Sequence, residues 1–169
     1  MVPARGSLQS AHDEAAHDEA GQTMTESGKD LPVRSNTDLG GAVDLSIAEI
    51  RGVYAALGDE TFRNLVDAFY RRVEADLVLR SLFPPDLGQG REHQYLFLTE
   101  YFGGPKRYTE TIGPPMLRMR HRRFPIGRAE RDLWLGHMLE AITEVGIPEP
   151  QADLLRRYFT QFSLHMVNK

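Results

Sequence analysis

From Leu45 onward, apolar side chains return every three or four residues, and no run alternates with a period of two. A 3.6-residue repeat puts such side chains on one face of a helix, whereas a half-buried strand needs a repeat of two. This pattern predicts an all-α domain. "LSIAEIRGVYAALG" carries Ile47, Ile50, Val53, Tyr54 and Leu57 at helical spacing and ends on Gly58. "DETFRNLVDAFYRRVEAD" follows directly, with Phe62, Leu65, Val66, Phe69, Tyr70 and Val73 on one stripe. A short turn, "LVLRSLFPPDL", is stopped by Pro84-Pro85. "GREHQYLFLTEYFGGP" then presents Gln94, Tyr95, Leu98, Tyr101 and Phe102 before the Gly103-Gly104-Pro105 stop. Two further amphipathic stretches, "GRAERDLWLGHMLEAITEVG" and "EPQADLLRRYFTQFSLHMV", predict two long helices.

Residues 106–125 are broken by Gly113, Pro114, Pro115 and Pro125, and only a short helix, about Pro115 to His121, fits there. The whole 103–127 stretch is too long for a simple helix connection, and loops of that length usually line a site.

Residues 1–44 read differently. They contain no aromatic side chain, eight acids, three bases and the direct repeat "AHDEAAHDEA". Such a segment buries too little apolar surface to offset about 1–2 kcal/mol per residue of backbone entropy. The expected organisation is a disordered acidic tail over 1–44 and one domain over 45–169, with His12 and His17 as solvated tail histidines. "MTESGKD", from Met24, offers an alternative start. Because the rest of the chain has 17 bases and 16 acids, the net charge of −4 belongs to the tail. Cysteine is absent, which excludes disulfides, zinc–thiolate clusters and thioether-linked cofactors. No apolar run approaches the length of a membrane span, and no signal-peptide stretch opens the chain, so a cytoplasmic location is expected.

The chemistry concentrates in "LRMRHRRFPIG", where His121 stands among Arg118, Arg120, Arg122 and Arg123. Clustered bases can neutralise phosphate. Yet no helix-turn-helix spacing, finger or aromatic RNA-binding run accompanies them, and nucleic-acid binding is not expected. Alone, the stretch reads as a solvated cationic rim, and His121 as an exposed helix-end histidine or as a ligand with cationic neighbours. Tyr70, Gln94 and Trp134 place three polar tips on three different apolar faces. Buried without partners, each would cost about 1–3 kcal/mol, so together they suggest a pocket that offers donors to a bound group. His137, three residues after Trp134, is the second candidate ligand; His93 and His165 read as structural or interfacial.

"FYRRVEAD", "LVLRSLFPPD", "FLTEYFGGPKRYTE", "PMLRMRHRRFPIGRAERDLWL" and "SLHMVN" together resemble the truncated haemoglobins, specifically their second group. The resemblance spans Tyr54 to about Asn168. It implies a shortened globin, a two-over-two helical sandwich around non-covalent haem b, with His121 as the axial iron ligand. Tyr70, Trp134 and Gln94 then take the distal positions that stabilise a bound ligand. Phe83, Gly90, Phe97, Met119, Tyr108, Arg118 and Arg120 take cofactor-contacting positions, Tyr108 and Arg120 toward the propionates. Lys106 and Arg107 are further propionate candidates. The implied activity is reversible binding of O2, nitric oxide, CO or peroxide, as an oxygen carrier of bacterial type or with a redox role. Nitric oxide dioxygenation or peroxide reduction would need an external reductase. A sensor role for the tail and a homodimer also stay open. Three departures stand out. The usual glycine pair between the first two helices is Gly58-Asp59, Phe83 removes a second phenol that some members carry, and Gly90 is expected to leave its side of the pocket open.

Overall fold

The computed structural model describes residues 45–169, and the expectations for residues 1–44 lie outside them. Every regular element among the described residues is helical, in the order α1 (Ile47–Ala75), α2 (Leu77–Arg80), α3 (Gly88–Tyr101), α4 (Arg107–Ile112), α5 (Leu117–His121), α6 (Arg128–Val145) and α7 (Gln151–Leu164). Helix α1 packs on α3 to form one layer, α6 packs on α7 to form the other, and α1 crosses α6 between them. This is the two-over-two arrangement expected from the sequence.

Helix α1 begins at a capping box, in which Ser46 Oγ accepts from the Glu49 amide and the Glu49 carboxylate accepts from the Ser46 amide. It bends at Gly58, whose φ of 72° is non-helical, so the two predicted helices survive as two arms of one element. The second arm carries the core stripe, and Phe62, Leu65, Val66, Phe69 and Val73 are fully buried. Ile47 is the exception on the first arm and is half exposed, one turn ahead of the core.

The α1–α3 layer closes at Gly103-Gly104. The Tyr54 amide donates to the Phe102 carbonyl at 3.0 Å, bringing the first arm of α1 against the end of α3. A Cβ on Gly103 would lie 1.9 Å from the Arg51 carbonyl oxygen, and one on Gly104 would lie 2.7 Å from that of Thr99. Gly103 also has a φ of 102°, which side-chain-bearing residues rarely adopt.

Between residues 106 and 125 the structure departs from the expected single helix. Helix α4 is additional, and α5 starts only at Leu117, after Met116 in a left-handed conformation. Helix α4 buries only Tyr108 and has no amphipathic stripe for a periodicity to register. Polar ties hold it instead: the Thr109 amide donates to Glu100 at 2.9 Å, and Arg107 pairs with Asp59.

Two glycines make opposite predictions. Gly103→Ala should destabilise the chain by about 2–4 kcal/mol, because backbone must move and φ is wrong for alanine. Gly136→Ala, inside α6 with nothing within 4 Å of the new methyl, should stabilise by about 0.5–1 kcal/mol. Chemical denaturation of both variants reads the two signs.

Candidate functional site

A cavity of about 570 Å³ lies among the helices, within the usual size range for buried cofactors. Tyr70 reaches it from α1, Phe83 from the turn after α2, and Gly90, Gln94 and Phe97 from α3. Tyr108 enters from α4, Met119, Arg120 and His121 from α5, and Trp134 from α6. Ten residues proposed from the sequence thus converge. Arg118 does not line the cavity and is exposed. Arg107 is committed elsewhere, donating to the Tyr95 hydroxyl at 3.2 Å and pairing with Asp59, and Lys106 is exposed.

His121 has a fixed proton. Its Nδ1 lies 2.7 Å from the Leu117 carbonyl oxygen. A carbonyl can only accept, so Nδ1 carries the hydrogen and Nε2 of the neutral ring holds a lone pair. Nε2 has no hydrogen-bond partner among the described residues. Nor do any three His, Cys, Asp or Glu side chains among them gather around a metal ion. A metal bound by this imidazole must therefore bring its other ligands with it.

The three polar tips behave alike. Tyr70 is 3% exposed, and its hydroxyl meets no protein acceptor among the described residues. The Trp134 indole and the Gln94 amide are also without a protein hydrogen bond there. Aromatic edges fix the phenol and the indole: Phe69 stands 5.4 Å from Tyr70 and 5.3 Å from Trp134, and Phe83 lies 6.0 Å from Tyr70 at 83°. Burial pushes the Tyr70 phenol well above the usual tyrosine range, and the Arg91 guanidinium over its ring opposes this without overcoming it. The phenol is therefore a donor at neutral pH.

Gly90 does not leave its side of the pocket open. A Cβ there would lie 2.9 Å from the Tyr70 hydroxyl oxygen, so the phenol fills the room that the missing side chain frees.

Two histidines change roles. His137 does not line the cavity; its Nε2 lies 2.7 Å from Asp76 Oδ2, while Asp76 Oδ1 caps α2 through the Val78 and Leu79 amides. The Asp76 carboxyl is held below the usual range, first by the Leu79 amide and then by His137. His93 does line the cavity, with its ring 6.4 Å from that of Tyr108. Its place was legible, since Gly90, His93, Gln94 and Phe97 stand at i, i+3, i+4 and i+7 on one helix face. Arg123 is a further cavity residue, as are Phe159, Phe162 and Met166, which read as core from sequence.

An imidazole with a directed lone pair, partnerless donors, aromatic walls and arginines beside one cavity suit a flat metallocycle with acidic side groups. Residues 52–168 match the family model described as bacterial-like globin. The chain belongs to that family.

Its relatives are truncated haemoglobins of the second group. The group 2 truncated hemoglobin YjbI of Bacillus subtilis is 42% identical over 116 residues, covering 69% of this chain and 88% of the relative. The two-on-two hemoglobin-3 of Arabidopsis thaliana is 31% identical, covering 68% of both chains. Among solved structures, the hemoglobin of the thermophilic phototroph Chloroflexus aurantiacus superposes with a TM-score of 0.68 at 54% identity. That match covers 69% of this chain and 98% of the other. As a globin the chain binds haem and small gaseous ligands, and the residues around this cavity fit that group. No helix among the described residues is long and apolar enough to cross a membrane.

The position of His137 generates a prediction. His137→Ala should lower stability by about 1–3 kcal/mol, through loss of its hydrogen bond to the Asp76 carboxylate, yet leave the visible spectrum of the hemin-loaded globin unchanged. The Asp76 contribution should be complete above about pH 4, the ordinary aspartate range, and fade as acid titrates its depressed carboxyl. Urea titrations at pH 7 and pH 3, beside one absorption spectrum, check this.

Proposed function

We propose that this globin binds haem b non-covalently, with His121 as the axial ligand, and holds O2 and other diatomic ligands under the donors Tyr70, Trp134 and Gln94. One observation carries the reading: three donors without protein acceptors, one buried and two half-buried, share a cavity with an imidazole whose tautomer leaves its Nε2 lone pair available. When bound, haem supplies an iron that takes up O2 and shifts electron density onto it.

The remaining work falls to the chain. The Leu117 carbonyl fixes the ring plane and the tautomer of His121. Arg120 and Arg123, with Tyr108 and His93 beside them, line the cavity and would neutralise two propionates. Phe83, Phe97 and Phe159 supply apolar contact with the ring faces. Tyr70 and Trp134 would donate hydrogen bonds to a bound ligand that carries negative charge, and Gln94 would add a third donor. The Bacillus subtilis relative whose structure superposes with a TM-score of 0.67 is an oxygen-avid haemoglobin, and the donor set here supports the same property.

Firm retention favours chemistry over delivery. The second reading is that bound O2 or peroxide is consumed, as in conversion of nitric oxide to nitrate. Conversion of nitric oxide and O2 to nitrate would take one electron per turnover and reduction of peroxide to water two, which an external reductase would supply.

Hydrogen bonds to charged groups contribute about 1.5–3 kcal/mol, or roughly 10- to 100-fold in rate. Tyr70→Phe and Trp134→Phe should therefore each speed O2 dissociation by about that factor in stopped flow. In the unmutated protein the rate should stay flat from pH 6 to about pH 10, since burial keeps the phenol protonated beyond the ordinary tyrosine range. A rate untouched by both substitutions, or a Soret band untouched by His121→Ala, would remove the proposal.

A further inference from the structure

We propose that Asn168 is a positioning residue that sets where the His121 imidazole stands, by clasping the turn that follows α5. The inference rests on His121 being the axial ligand.

Helix α5 is five residues long and buries none of them, so core packing does not locate it. A helix so short does not persist in water by its own hydrogen bonds. Its place comes from polar ties, and most of them lead to one side chain. Asn168 Nδ2 donates to the carbonyl of His121 itself at 3.3 Å and to that of Phe124 at 2.9 Å. Its Oδ1 accepts from the Ile126 amide at 3.0 Å, and its own backbone amide donates to the Ile126 carbonyl at 2.9 Å. One planar amide thus spans residues 121–126 and fastens them to the segment after α7.

The neighbouring residues extend the clasp. Lys169 Nζ donates to Glu130 Oε1 at 3.1 Å, while Glu130 Oε2 accepts from the Gly127 amide at 2.8 Å. Gly127 makes room for this, since a Cβ there would lie 2.8 Å from both Glu130 Oε2 and Lys169 Cε. His121 is therefore held twice, by its ring through the Leu117 carbonyl and by its main chain through Phe124 and Asn168. Only an asparagine amide meets these demands. Aspartate keeps the acceptor for Ile126 but turns an oxygen toward two carbonyls, and alanine loses both edges.

The test uses the full hemin-loaded chain, reduced and free of exogenous ligand, with the iron–histidine stretching band read by resonance Raman. Asn168→Ala and Asn168→Asp should shift or broaden the band, and hemin transfer to apomyoglobin should quicken about tenfold, the lower end for outer-shell partners. Val53→Ala, which loosens the core away from the cavity, should leave the band in place. A band unchanged in both Asn168 variants overturns the proposal, as does an equal shift in Val53→Ala. Hydrogen exchange of the metal-free chain separates this from the axial assignment. If His121→Ala leaves the haem spectrum intact, the axial reading has failed, and faster exchange over residues 117–126 in Asn168→Ala still supports the clasp. Exchange unchanged there overturns the clasp itself.

Discussion

A buried phenol and a half-buried indole and amide find no hydrogen-bond acceptor among the described residues, and the surrounding fold has to hold their polar tips toward the cavity. It does so with aromatic packing. Phe69 holds both Tyr70 and Trp134 by ring edges, and Phe159 steadies Trp134 from α7 at 5.9 Å. The same residues belong to the core that joins the two helical layers. Moving a donor toward a protein acceptor would therefore disturb the packing that holds the layers together.

The two walls of the cavity are built by different physics. The α1, α3, α6 and α7 walls come from long amphipathic helices, where burial places each side chain. Helices α4 and α5 are too short for that, at six and five residues. Side-chain hydrogen bonds to distant groups locate them: Glu100 and Asp59 for α4, Asn168 for α5. The imidazole and Tyr108 stand on these tied segments, whereas Tyr70, Gln94 and Trp134 stand on the packed ones.

This difference explains what could be read from the residues alone. Periodicity reported the long helices, the bend at Gly58 and the inward faces of Tyr70, Gln94 and Trp134. It could not report α4, whose one buried residue makes no repeat. Nor could it choose between His93 and His137. Both follow helical spacing from other site residues, and the choice was made by Asp76, 61 residues from His137 in sequence, which draws that ring away. Arg107 was misplaced for the same reason, since its partner Asp59 is 48 residues distant. Arginine clusters show charge density in sequence but not which guanidiniums are already paired.

Asp59 shows how a departure from the family pattern is absorbed. The resemblance implies a second glycine beside Gly58, and a carboxylate there could have opened the bend. Instead it accepts from the Tyr95 hydroxyl at 2.8 Å and pairs with Arg107. Arg107 holds the Asp59 carboxyl below the usual range, and Tyr95 adds to this. The pair is half exposed, so screening keeps its contribution to stability small. Its value is geometric: Arg107 and Tyr108 are consecutive, one facing Asp59 and the other lining the cavity. A substitution at the bend of α1 has thereby become the anchor for a residue in the opposite wall.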